Sequence, residues 1–115
     1  MLHMNAQSQV IFFPRPVNFR CSFDSLSYLI ESELGVELTP NLFVLFVNPR
    51  KNRIKILYHE DNQLLLLAAR FEHALYFTFQ DGVVLDQTSF HKFITTPNPR
   101  RRVNKIKGLK NASFL

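Results

Sequence analysis

Apolar and polar positions alternate along the chain in blocks whose spacing changes from segment to segment. Val10 to Phe13 is a short apolar run stopped by Pro14-Arg15-Pro16. Two prolines around one residue hold the backbone extended and end strand pairing, so a short strand and a rigid turn are expected. Phe19, Phe23, Leu26, Ile30 and Leu34 then recur every three or four residues, the repeat of one helical face. Asn18 or Ser22 can cap the start of this helix, and Gly35 is placed to take the left-handed conformation that closes it. Leu42 to Val47 is an unbroken apolar run between Pro40-Asn41 and Asn48-Pro49, which predicts a strand buried on both faces. Arg53 to Tyr58 alternates instead, with Ile54, Ile56 and Tyr58 on one face and Arg53, Lys55 and Leu57 on the other. A hairpin therefore joins the two strands across residues 48–52.

Asp61-Asn62 follows as a two-residue turn, since both side chains tolerate positive φ. Gln63 to Phe71 is open to two readings, because Leu64, Leu67, Ala68, Phe71 and Leu75 would also form a helical stripe from good helix formers. The tight turn before it and the aromatic-rich run from Leu75 to Phe79 after it favour a continued antiparallel meander, and strand is the reading adopted. Asp81-Gly82 punctuates the chain again. Asp86 can cap a last short helix with Phe90, Phe93 and Ile94 on its inner face. The expected fold is α+β: an antiparallel sheet of four or five strands, one longer helix in the N-terminal half, a short C-terminal helix, and then a flexible basic tail.

Composition supports a folded chain. Of 115 residues, 46% are hydrophobic and 20% charged, unlike the low-hydrophobicity, high-charge pattern of disorder. That length suits one domain, here residues 1–96. The lone Cys21 excludes an intrachain disulfide and a cysteine-based zinc site, and fits a reducing cytosol. No apolar run reaches the roughly 18 residues of a membrane helix, and Met1 to Pro16 lacks a secretory pattern. A cytoplasmic protein with no membrane partner is expected.

The net charge of +5 is unevenly placed. Through Thr96 there are eight Lys and Arg against all nine acids, whereas residues 97–115 hold Arg100, Arg101, Arg102, Lys105, Lys107 and Lys110 and no acid. Pro97-Asn98-Pro99 marks the boundary between a near-neutral body and a self-repelling, solvated basic arm. Such an arm can neutralise phosphates without a defined fold, although a solubility tail would have the same composition. Within the body, Arg50, Lys51, Arg53 and Lys55 lie on and beside one hairpin tip, with Arg20 a candidate to join them. These cations can hold phosphates, and they also suit a solvated turn beside a one-sided strand.

Catalytic chemistry has little support. His3, His59, His73 and His91 never fall at the close spacings of a local metal site. Cys21, read as part of the first helix, has no local base and suits a small buried hydrophobe. Asp24, Glu60, Asp61, Glu72 and Asp86 sit where caps and turns account for them. Gly35, Gly82 and Gly108 are isolated, so there is no glycine-rich phosphate loop. No catalytic residue, metal or cofactor is assigned.

One pattern is more specific. Pro16-Val17-Asn18-Phe19-Arg20, Phe23-Asp24-Ser25-Leu26 and Leu42-Phe43-Val44-Leu45-Phe46 are followed by Asn48, Arg50-Lys51, Arg53-Ile54-Lys55-Ile56-Leu57-Tyr58, Glu60-Asp61 and Arg70-Phe71-Glu72. Over about residues 10–96 this resembles the small second-frame (TnpB-type) protein of bacterial insertion sequences of the IS66 family. Asn18, Cys21, Ser22, His59 and Gln63 depart from the family pattern, and the basic arm lies outside the part recognised. The resemblance implies a non-enzymatic accessory protein, encoded beside a larger transposase that carries the DNA-cutting carboxylates. The family role is to assist transposition, and the placement of charge adds the expected contact, with the DNA phosphate backbone, the transposase, or both. The alternative is a protein–protein adaptor that docks through a sheet edge or apolar patch and never touches nucleic acid.

Overall fold

The computed structural model describes residues 4–75, 77 and 84–95. Its elements in chain order are β1 (Gln9–Phe12), α1 (Phe23–Leu29) running into a π-helical turn (Ile30–Leu34), β2 (Leu42–Val47), β3 (Arg53–Glu60), β4 (Gln63–Arg70), β5 (Val84–Leu85) and α2 (Gln87–Thr95). The strands form one sheet in the order β4-β3-β2-β1-β5.

β2 lies inside this sheet, and its last five residues are all buried. Both of its faces are covered, which is why the sequence there is continuously apolar. On one face Phe13, Val17, Leu26, Ile30, Val44, Phe46 and Leu57 pack beneath α1. On the other, Val10, Phe12, Phe43, Leu45, Ile54, Ile56 and Tyr58 pack with Leu75 and with Phe90 of α2. The Phe12 and Phe93 rings meet edge to face at 5.1 Å, and Phe77 stands 4.9 Å from Phe12. The aromatic residues thus supply much of the second layer.

The β2–β3 and β3–β4 hairpins are antiparallel, with Tyr58 opposite Phe43 and Glu60 opposite Gln63. Asp61 turns the second hairpin with φ 56°, and Gln63–Arg70 is a strand despite its helical propensity. Asp86 Oδ1 accepts the Ser89 N–H (2.7 Å) at the start of α2, whose Phe90 is buried. Gly35 takes φ 65°, and its N–H reaches back five residues to the Ile30 carbonyl (3.0 Å).

Three features depart from the expected architecture. The sheet is mixed: β1 pairs in parallel with β2, Val10 beside Phe43, and α1 lies in the crossover between them. A strand, a helix and a second strand can close as a parallel unit, and no local pattern names the partner of so short a strand. The first helix begins at Phe23, four residues later than its apolar stripe. Asn18 instead folds the preceding segment into a turn, its Oδ1 accepting the Arg20 N–H (2.9 Å) and its carbonyl accepting the Cys21 N–H (3.1 Å). Cys21 therefore precedes the helix. Finally, neither Leu75 nor Phe77 is in a strand, while Val84–Leu85, not foreseen, pairs antiparallel with β1. The rest of the Leu75–Phe79 run, Asp81-Gly82 and the arm from Pro97 with Arg100, Arg101, Arg102, Lys105, Lys107 and Lys110 lie outside the described residues.

Candidate functional site

The β2–β3 turn is built around Asn48. Its side-chain oxygen accepts the N–H groups of Asn52 (3.0 Å) and Arg53 (2.9 Å), and its amide nitrogen donates to Asn52 Oδ1 (2.7 Å). Its main-chain carbonyl accepts the Lys51 N–H (2.9 Å). Lys51 sits at φ 59°, a left-handed conformation that costs a non-glycine residue on the order of 1 kcal/mol. Its side chain is put to structural use: Nζ donates to the Phe77 carbonyl (2.6 Å) and lies 4.6 Å from the centre of that ring. The Lys51 carbonyl accepts the Leu75 N–H (2.7 Å). This lysine thus ties the segment after β4 to the turn.

Lys55 does the same on the α1 face. Its Nζ donates to the carbonyls of Cys21 (2.7 Å) and Phe19 (3.1 Å) and stands 5.1 Å from the centre of the Phe19 ring. The turn carrying Arg20 is thereby held against β3. Two of the five body cations singled out from the sequence are thus engaged with main-chain oxygens, and three arginines are left more open. Arg20, Arg50 and Arg53 are exposed, and no acid pairs with any of them among the described residues. By contrast, Arg15 makes a two-pronged ion pair with Glu33, Nε to Oε1 at 3.1 Å and a second contact from Nη2 to Oε2. That pairing holds the Glu33 carboxyl below its usual range.

Arg50 and Arg53 line an open cleft of about 370 Å³ with Asn18, Phe19, Asn48 and Pro49. A neighbouring cleft continues it across Phe19, Arg53, Lys55 and Ala68 to Arg70. Arg70 stands directly opposite Arg53 on the adjacent strand. The Phe71 N–H donates to the Asn52 carbonyl (2.7 Å), so by alternation Arg53 and Arg70 form a non-hydrogen-bonded pair, the kind in which side chains come closest. Like charges placed this way repel. Sequence reasoning missed Arg70 as part of the site. Counting outward from the two-residue turn at Asp61-Asn62 pairs residue 60 with 63 and hence 53 with 70, so the signal was available.

The opposite end of the sheet has the opposite sign. Glu60 at the end of β3 and Asp61 in the β3–β4 turn stand roughly 25 Å along β3 from Arg53, at about 3.4 Å per residue. There a third cleft has Glu31, Glu37 and His59 beside Ile30, Val36, Leu38 and Leu64. Among the described residues no three His, Cys, Asp or Glu side chains gather as they would around a metal ion, and no helix is long and apolar enough to cross a membrane.

Compared with known proteins, the chain matches no curated protein and no solved structure. One family model matches, described as IS66 Orf2 like protein, and the match runs over residues 8–103. It extends past Thr96 to take in Arg100, Arg101 and Arg102, so the composition boundary at Pro97 is not where the family pattern ends. A match over so much of the chain places this protein in the family of IS66 Orf2 like proteins, the accessory proteins of insertion sequences.

Proposed function

We propose that this accessory protein contacts the phosphate backbone of DNA during transposition through the basic arm from Arg100 to Lys110, which supplies most of the charge, and through Arg20, Arg50 and Arg53 on the body. The carrying observation is a set of exposed arginines that have no acidic partner among the described residues, Arg50 and Arg53 at the β2–β3 turn and Arg20 on the turn that Lys55 holds against β3, with Arg70 directly opposite Arg53. Unpaired like charges weaken a fold slightly, and a polyanion laid across them would turn that repulsion into attraction. Guanidinium forks suit phosphate oxygens. Lys51 and Lys55 act in this reading by fixing the two turns that carry the arginines. No catalytic step is assigned to the chain, since the DNA-cutting chemistry belongs to the larger transposase.

The test is binding of short duplexes of unrelated sequence by the full chain, followed by fluorescence anisotropy. Arg50→Glu combined with Arg53→Glu is expected to leave the thermal transition nearly unchanged, because exposed charges contribute little to stability. Affinity at low salt should fall on the order of tenfold or more, and to a similar extent for every sequence, because phosphate contacts carry no base information. Unchanged DNA affinity, or loss of binding only to an acidic transposase segment, would overturn the DNA reading.

A further inference from the structure

β4 is the outer strand of the sheet, and no described residue pairs with its far edge. Its ladder to β3 has a definite phase. Phe71 N–H donates to the Asn52 carbonyl in register with the Ile54–Ala69 and Ile56–Leu67 pairs. Residues of an antiparallel strand direct their main-chain groups alternately to either side. Gln63, Leu65, Leu67 and Ala69 therefore face β3, while Leu64, Leu66, Ala68 and Arg70 each present an N–H and a carbonyl to the open edge. Among the described residues nothing guards that edge. From Leu64 to Ala69 the strand has no charge and no proline, and its register is unbroken by a bulge, although proteins ordinarily protect an exposed edge with such devices.

Charge supplies a second, independent observation. Arg70 closes one end of β4, while Leu64, at the other end, lines the cleft that holds Glu31, Glu37 and His59. Leu64 and Arg70 lie on the same sheet face, because they are separated by an even number of residues.

We propose that β4 pairs antiparallel with β4 of a second copy of this chain, about a two-fold axis through Leu67. Outward-directed residues must meet each other, and centring on Leu67 is the register that pairs all four: Leu64 with Arg70 and Leu66 with Ala68. Paired residues share a face, so Arg70 of each copy reaches the other's cleft beside Glu31 and Glu37, twice by symmetry. The repulsion between Arg53 and Arg70 is then offset by acids across the interface, and Arg20, Arg50 and Arg53 stay open in both copies. The two Arg70 residues lie roughly 20 Å apart along the strands, six residues at about 3.4 Å each.

Sedimentation velocity of the full chain at about 50 µM, without DNA, tests this separately from phosphate binding. The expected mass is twice 13.5 kDa. Ala68→Pro removes an outward N–H that takes no part in pairing with β3, and should give a monomer with an unchanged circular dichroism spectrum. In a Cys21→Ser background, Leu67→Cys places two thiols across the axis in a non-hydrogen-bonded pair. Their Cα atoms would be about 4.5 Å apart, within disulfide range, and mild oxidation should give a band of doubled mass on a non-reducing gel. A monomeric parent chain overturns the proposal, as would happen if another protein or another part of this chain covered the edge. A dimer that forms no Leu67→Cys cross-link overturns it too, by showing that a different surface associates; should Ala68→Pro unfold, the cross-link alone decides.

Discussion

Lys55 is the residue whose role differs most from its place in the sequence pattern. Alternating with Ile54 and Ile56, it reads as a solvent-facing cation, yet its ammonium is held by the carbonyls of Phe19 and Cys21. Hydrogen bonds from a charged donor contribute roughly 1.5–3 kcal/mol. Lys55→Met keeps the aliphatic stem while removing the donor, and is expected to destabilise by about that amount in denaturant titrations. Faster amide hydrogen exchange at Cys21, whose N–H closes the Asn18 turn, should accompany it. A pairwise hydrogen bond of this kind cannot be read from spacing, because its partners lie more than thirty residues away. Arg53 and Arg70 are the opposite case: their pairing follows from the Asp61-Asn62 turn by counting alone.

At the scale of elements, what was legible depended on whether the deciding interaction was local. β2 announced itself by an unbroken apolar run, and β3 by its alternation. The Asp86 cap and the Gly35 terminus were legible because single residue types satisfy those backbone positions. The parallel pairing of β1 with β2 was not, since Val10–Phe12 would fit beside any buried strand. The late start of α1 was missed because Phe19 keeps helical spacing while serving as a ring beside Lys55. Phe46, fully buried against Phe13 at 5.0 Å, should cost about 3–5 kcal/mol on replacement by Ala, read as a lower denaturant midpoint. A midpoint equal to the parent's would contradict the buried placement of β2. α2 offers a pH test. The Ser89 N–H holds the Asp86 carboxyl below its usual range, so this cap stabilises α2 above the unfolded aspartate value near 3.9 and fades as pH falls through the lower folded value. Asp86→Asn also caps well and should remove that acid dependence from the Ser89 amide chemical shift.

For the molecule as a whole, the central claim is that this IS66 Orf2 like protein presents phosphate-binding cations at one end of its sheet and along its C-terminal arm. The body through Thr96 has a formal charge of −1 and the arm +6, so the arm should dominate affinity while the body sets where contact occurs. Each phosphate contact contributes close to one unit to the slope of log K against log salt concentration. The most direct measurement is that slope on one duplex, for the full chain and for the chain truncated after Thr96. A steep slope for the full chain, reduced by several units on truncation and abolished when Arg50→Glu and Arg53→Glu are added, is the expected result. Binding that is insensitive to salt, or equally strong without the arm and the two arginines, would contradict it.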